Sequence, residues 1–317
     1  MSNLFKLINN ELIKTYIQKS TWVMYIILVG IIIGLAALTV SFEETGDKYD
    51  QDNWREVLQQ ENKELQSEME KEEYMEGMNT TLIAKNNYYL ENDIQPEGYG
   101  ALQFVMENQL LLSLVSLLTI IVAAGIVANE YRWGTIKLLL IRPISRTKIL
   151  LSKYISVLLF ALITLLFVLL FSWIIGAIFF GVNGINPHIV LEKDNGFAYV
   201  PVLGEIASGY GYKLINLFMM ATFAFMISTI FKNSALAIGT AIFLMMAGNQ
   251  IVLFFAEREW AKYILFANTD LSQYANQNTP WIEGMTLGFS ITILLIYYVI
   301  FLLLSWVFFT KRDVAGS

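Results

Sequence analysis

The stretch YISVLLFALITLLFVLLFSWIIGAIFF, residues 154–180, contains no Asp, Glu, Lys or Arg. About 20 predominantly apolar residues in a helix, rising 1.5 Å each, cover the hydrocarbon core of a bilayer. Five further stretches share the property: residues 22–40, 109–128, 214–231, 235–256 and 287–309, and every charged residue falls between the six or at their ends. Composition agrees. Of 317 residues 56% are hydrophobic and 15% charged, with mean hydropathy +0.53, whereas a soluble domain carries roughly 25% charged residues. The reading is an all-α polytopic membrane protein with six transmembrane helices.

Charge is spread unevenly along the chain. Residues 41–108 hold 17 acidic and 5 basic residues, a net of −12, which leaves +6 for the remainder. Lysine and arginine gather before the first apolar stretch (Lys6, Lys14, Lys19), between the second and third (Arg132, Lys137, Arg142, Arg146, Lys148, Lys153), at Lys232, and at Lys311 and Arg312. An even number of crossings puts these segments on one side, and the positive-inside rule makes that side cytoplasmic. The expected location is therefore the bacterial cytoplasmic membrane, multi-pass, with both termini cytoplasmic. Segments 41–108, 181–213 and 257–286 then lie outside, although Arg258 and Lys262 weaken the contrast in the last. The basic flank before residue 22 and the length of the first apolar stretch suit an uncleaved helix better than a signal peptide.

Within residues 1–21, Leu4, Leu7, Ile8, Leu12 and Tyr16 recur at helical spacing, which predicts an amphipathic helix lying at the interface. Segment 41–108 should form an acidic helical insertion, because residues 54–78 are rich in Glu, Gln, Leu, Lys and Met and lack Pro. Its apolar positions are too sparse for a coiled coil. A solvated acidic surface and a cap that binds a cationic ligand are the two readings of it. Segment 257–286 mixes Trp260, Tyr263, Phe266, Tyr274 and Trp281 with amides, the composition of an aromatic belt around a short helix or re-entrant turn.

Several function classes are excluded. Without cysteine there is no thiolate site, and the single His188 leaves no multi-histidine metal site. The acidic balance argues against nucleic acid as a partner. No G-x-x-x-x-G-K-(S or T) loop is present to cradle nucleotide phosphates. No ionisable residue lies within the six apolar stretches, which argues against a proton antiporter and an intramembrane hydrolase. The polar residues there are amides and hydroxyls. Asn216, Asn249 and Gln250 either bond helix to helix or line a substrate path.

Residues 129–153 are the one basic-side connection large enough to receive a push from a partner. Gly134 permits a sharp turn, Thr135 is placed to cap a short helix, and Pro143 stops it. Ile136, Leu139 and Leu140 fall on one side, Lys137 and Arg142 elsewhere. Such a helix suits a protein groove, or else lies on lipid.

The run Glu130…Gly134-Thr135-Ile136…Leu139-Leu140…Pro143-Ile144-Ser145-Arg146 resembles the connection between spans two and three in type-2 ATP-binding-cassette (ABC) exporter permeases. That family carries E-x-x-x-G-T-(L or I), then L-L, P and S-R. The ending Phe309-Thr310-Lys311-Arg312-Asp313 is similar to the family's as well. The resemblance implies one permease domain over residues 1–317 whose segment 129–153 is a cytoplasmic coupling helix. Ile136, Leu139 and Leu140 would fill a groove in the ATPase, with Glu130, Arg132 and Arg142 making charged contacts around it and Gly134, Thr135, Pro143 and Arg146 completing the coupling segment. It further implies a second permease chain, two ATPase subunits that bind Mg-ATP, no catalysis and no cofactor in this chain, and export of an amphipathic or hydrophobic substrate. The long acidic insertion departs from polysaccharide exporters and fits drug or antimicrobial-peptide exporters. A sodium exporter on the same plan and a membrane sensor of cationic peptides are the alternatives.

Overall fold

The computed structural model describes residues 2–42, 49, 52–71, 75–141, 143–193, 196–231, 233–275 and 280–311. The helices are α1 (Ser2–Ile17), α2 (Lys19–Phe42), α3 (Trp54–Lys71), α4 (Glu76–Glu91), α5 (Ala101–Glu107), α6 (Leu112–Arg132), α7 (Ile136–Leu140) and α8 (Arg146–Phe180). After the strands β1 (His188–Lys193) and β2 (Gly196–Pro201) come α9 (Val202–Ile230), α10 (Ser234–Phe254), α11 (Leu265–Thr269) and α12 (Leu287–Thr310). Six helical stretches, carried by α2, α5–α6, α8, α9, α10 and α12, are long and apolar enough to cross a bilayer. The protein is a multi-pass, predominantly helical membrane protein. These helices outrun the charge-free stretches. The helix carrying 154–180 begins at Arg146, and the one carrying 109–128 continues to Arg132. A helix need not stop where the hydrocarbon stops, provided its charged ends find partners.

The chain divides into two compact units. The first comprises residues 1–28, 110–168 and 210–317. Its core sets small residues against one another: Ala123, Ala124 and Ala128 of α6, Ala221 and Ala224 of α9, and Ala237 and Ala241 of α10, all buried. Short side chains let helix backbones approach closely where water supplies no hydrophobic drive. Polar groups in this core are paired, as a low-dielectric setting demands, with buried Thr119 Oγ1 the exception. The backbone N–H groups of Val127 and Ala128 both donate to Ser228 Oγ at 3.1 Å. Tyr154 meets Thr222 at 2.8 Å and donates to Tyr298 at 2.9 Å, joining α8, α9 and α12. Asn233 caps α10 by accepting from Ala235 N at 2.9 Å, and Thr286 caps α12 by accepting from Phe289 N at 3.2 Å. Between α10 and α12 the chain folds back through α11 and two 3₁₀ turns, Glu259–Tyr263 and Leu271–Tyr274. Buried Asn268 anchors this segment, donating to the carbonyls of Lys262 and Ile264 and accepting from Ser290 Oγ. A short helix was expected here, and α11 is that helix, with Leu265, Ala267 and Leu271 buried, while the aromatics Trp260, Tyr263 and Trp281 of the same segment are exposed.

The second unit comprises residues 29–109 and 169–209. Helices α3 and α4 pair through asparagines: Asn62 donates to Asn87, Asn86 donates to Asn62 and Glu61, and Asn79 donates to the Leu65 carbonyl. A polar seam replaces the missing heptad of apolar residues. Trp54, Leu58 and Tyr89 form a small core with Val190 of β1, and Tyr89 Oη accepts from Val190 N at 3.1 Å. The α3–α4 pair and the β1–β2 hairpin are thus folded together. Gly176 of α8 lies against the Ala101 backbone, where any Cβ would collide.

One β1–β2 hairpin, which the sequence reading did not foresee, interrupts the otherwise helical chain. It is antiparallel, with register from His188↔Pro201 to Lys193↔Gly196. The β-branched and aromatic runs His188-Ile189-Val190-Leu191 and Phe197-Ala198-Tyr199-Val200 flank Asp194-Asn195-Gly196, a hairpin signal outweighed by the surrounding helical hydropathy. His188, expected as a loop residue, opens β1. Its ring stacks on Tyr199 at 5.0 Å, and Glu97 Oε1 accepts from both His188 N and the Tyr199 hydroxyl.

Candidate functional site

The connection between α6 and α8 begins with a tight stop. Trp133 N donates to the Asn129 carbonyl at 2.9 Å, Gly134 N donates to the Tyr131 carbonyl at 3.1 Å, and Gly134 adopts φ +72°. A left-handed residue just past a helix end is glycine's usual place, so the expected turn is there. The short helix α7 follows. Thr135 does not cap it through its side chain. Its φ −72° and ψ −16° are already helical, whereas a cap needs an extended residue. Its hydroxyl turns back and donates to the Glu130 carboxylate instead.

Ile136, expected on the docking face, is 3% exposed and belongs to the core of the first unit. Leu139 is half-buried. The outward apolar positions are Leu138 and Ile141, 66% and 79% exposed, beside exposed Trp133 and Lys137. The side chain of Leu140 and the whole of Arg142 lie outside the described residues. Pro143 is exposed beyond the helix. Arg132 donates to Ser234 Oγ at 3.4 Å, and Arg146 donates to the Thr310 carbonyl at 2.9 Å. Both arginines therefore bind the connection to neighbouring helices of their own chain.

Glu130 departs furthest from expectation. It was read as a contact to a partner, but it is 6% exposed and locked into a buried ion cluster. Lys153, wholly buried, donates to Glu11 Oε2 at 2.7 Å, to Glu130 Oε1 at 2.9 Å and to the Ile126 carbonyl at 3.4 Å. Lys14 donates to Glu11 Oε1 at 3.0 Å and to Glu130 Oε1 at 3.2 Å. Two carboxylates and two ammonium groups balance, three of them buried and Lys14 at the solvent-exposed edge. Burial disfavours the Lys14 charge, but Glu11 and Glu130 outweigh it and hold the ammonium above the usual lysine range. Ser156 Oγ donates to the Ile8 carbonyl at 3.1 Å, a second tie between α1 and α8. Beside the cluster lies a cavity of about 480 Å³, lined on one side by Thr15, Ile17 and Gln18 and on the other by Trp133, Leu138 and Leu139.

Sequence reasoning found the turn, the short helix and Glu130, but not Glu11, Lys14 or Lys153 as members of one cluster. The signal was faint. Glu11 is the sole acidic residue among the first 42, and Lys153 is the last charge before the longest apolar run. The amides proposed for a substrate path are not gathered. Asn216 is taken up by the Thr269 carbonyl at 2.9 Å, which is helix-to-helix bonding, while Asn249 and Gln250 sit on the exposed side of α10. Among the described residues no group of three or more His, Cys, Asp or Glu is arranged to hold a metal ion.

The chain is 43% identical over 318 residues to the Uncharacterized protein YhcI of Bacillus subtilis (strain 168), covering 99% of this chain and 100% of that protein. It is also 34% identical over 203 residues to the Uncharacterized membrane protein YdbK of the same organism, covering 63% of this chain and 78% of that one. A family model described as "Protein of unknown function (DUF2705)" matches residues 74–315, which take in α6, α7 and α8 with the whole connection between them. The chain, spanned over most of its length by that match, belongs to the DUF2705 family.

Proposed function

We propose that the chain is the non-catalytic membrane subunit of an ATP-driven exporter of the type-2 ABC plan. It pairs with a second permease chain, itself or a similar one, and recruits two separate ATPase subunits that carry Mg-ATP. The observation that carries this reading is α7. A single helical turn presents Leu138 and Ile141 outward while its root, Glu130, is fixed in a buried ion cluster. An exposed apolar knob on a rigid base, rimmed by Lys137, has the form of an element docked by a protein groove.

Orientation follows from charge. Lys6, Lys14, Lys19, Arg132, Lys137, Arg146 and Lys148 share the α7 side, which supports placing α7 and both termini in the cytoplasm and the acidic α3–α4 unit outside. Among the described residues, the ionisable side chains buried at span ends on this side, Glu11, Glu130 and Lys153, are paired with one another, so the path between two permeases suits an amphipathic or hydrophobic cargo, such as a peptide, an antibiotic or a lipid-like molecule. In this reading ATP-driven closure of the ATPase pair pushes α7 and tilts α6 and α8, alternating access to that path.

The test is co-purification. The tagged chain is co-expressed with a candidate ABC ATPase that carries a P-loop and extracted in mild detergent. Retention of the ATPase, with hydrolysis stimulated by amphipathic peptides or drugs, is the expected result. Turnover of such compounds by the purified chain without nucleotide, or failure to retain any ATPase, contradicts the proposal.

A further inference from the structure

The buried cluster joins parts of the chain far apart in sequence: α1 through Glu11 and Lys14, the end of α6 through Glu130, and the start of α8 through Lys153. Thr135, at the root of α7, is tied to the same Glu130. Beyond this root α7 leaves α1. The cavity of about 480 Å³ separates Ile17 and Gln18 from Leu138 and Leu139, and Gly134, at φ +72°, makes the turn at the base. The arrangement has the three parts of a hinged arm: a pivot, a joint and a space to swing through.

We infer that α1 is the mechanical partner of α7, and that the Glu11–Lys14–Glu130–Lys153 cluster is the pivot that sets the distance between them. Motion of α7 toward α1 closes the cavity and is delivered through the cluster to α1 and α8 together, not to α6 alone. The inference deepens the coupling role proposed for α7 and rests on that reading for what drives the motion. The pivot itself is a property of this chain.

Electrostatics give the sign of the test. Removing the Lys153 ammonium leaves two carboxylates, Glu11 and Glu130, facing each other with only Lys14 between them. Like charges at low dielectric repel, so α1 and the α6 end should part. Removing Glu11 as well restores balance, because Lys14 and Glu130 remain as a neutral pair. The natural chain has no cysteine, so spin labels placed at Gln18→Cys and Leu138→Cys report the distance across the cavity in the intact protein reconstituted in lipid vesicles. The expected result is a single narrow distance distribution in the otherwise natural background. It widens or lengthens on the order of one helical turn, about 5 Å, in Lys153→Met, and returns in the double variant Glu11→Gln/Lys153→Met. A label pair at Leu236→Cys and Leu295→Cys, on α10 and α12, should stay unchanged in all three and so excludes general unfolding. An unchanged Gln18–Leu138 distribution in Lys153→Met, or a double variant no closer to the natural distance than the single one, overturns the inference. Because no ATPase enters this measurement, its failure leaves the docking proposal standing. Failure of co-purification likewise leaves the pivot to be judged by the distances.

Discussion

Lys153→Met is expected to lower the midpoint of thermal unfolding in detergent by on the order of 10 °C, the largest stability effect of any single substitution at this end of the molecule. Breaking one partner out of a buried ion pair costs about 3–5 kcal/mol, because the remaining charge is left without compensation. In chains of 150–250 residues each kcal/mol moves the midpoint by roughly 2–4 °C, and a chain of 317 residues should move no more per kcal/mol. Lys153 is the severe case because its ammonium is wholly buried and contacts both carboxylates. Lys14→Met should cost less, since that side chain is partly open to solvent and water can screen what is lost. Glu11→Gln/Lys153→Met should recover most of the loss, because a balanced pair remains. A cluster of structural importance only to α1 would instead show Lys14→Met and Lys153→Met with equal effects, as would a surface network.

The second large effect concerns α7. Leu138→Asp/Ile141→Asp should leave folding intact, since both side chains are exposed, yet weaken ATPase retention by about 30-fold or more. A docking anchor contributes about 2 kcal/mol or more, and each 1.4 kcal/mol is a factor of ten. Ile136→Asp should behave in the opposite way. It buries a carboxylate in the core of the first unit and should reduce the yield of folded protein before any partner is added. The contrast separates the two faces of a single helical turn, and retention of ATPase by the Leu138/Ile141 variant at natural levels would remove α7 from the interface.

The transmembrane helices were legible because their signal is an absence. Charged residues are excluded from hydrocarbon whatever the tertiary structure, so six charge-free stretches along the chain announce six crossings. The stop at Gly134 was legible for a similar reason, since the backbone there needs a residue without Cβ. What stayed hidden depended on pairing. Glu11 and Lys153 are 142 residues apart, and nothing local says that they meet. Ile136 and Leu138 are both apolar neighbours on a single turn, and only the packing of α7 against the first unit decides which of them faces inward. The β1–β2 hairpin has β-branched and aromatic flanks, Ile189-Val190 and Tyr199-Val200, a pattern too short to stand out in a chain so rich in helical signal. Thr135 shows that a capping residue type is not a cap when a buried carboxylate five residues earlier competes for its hydroxyl.

The most direct test places a single cysteine at Leu138 in the cysteine-free chain and attaches a short photoreactive cross-linker to it in inverted membrane vesicles. The account predicts a cross-link to an ATPase subunit whose yield changes when ATP is bound. A residue at this position that is labelled only from the external face of intact cells, or that cross-links to lipid alone with the ATPase present, would contradict it.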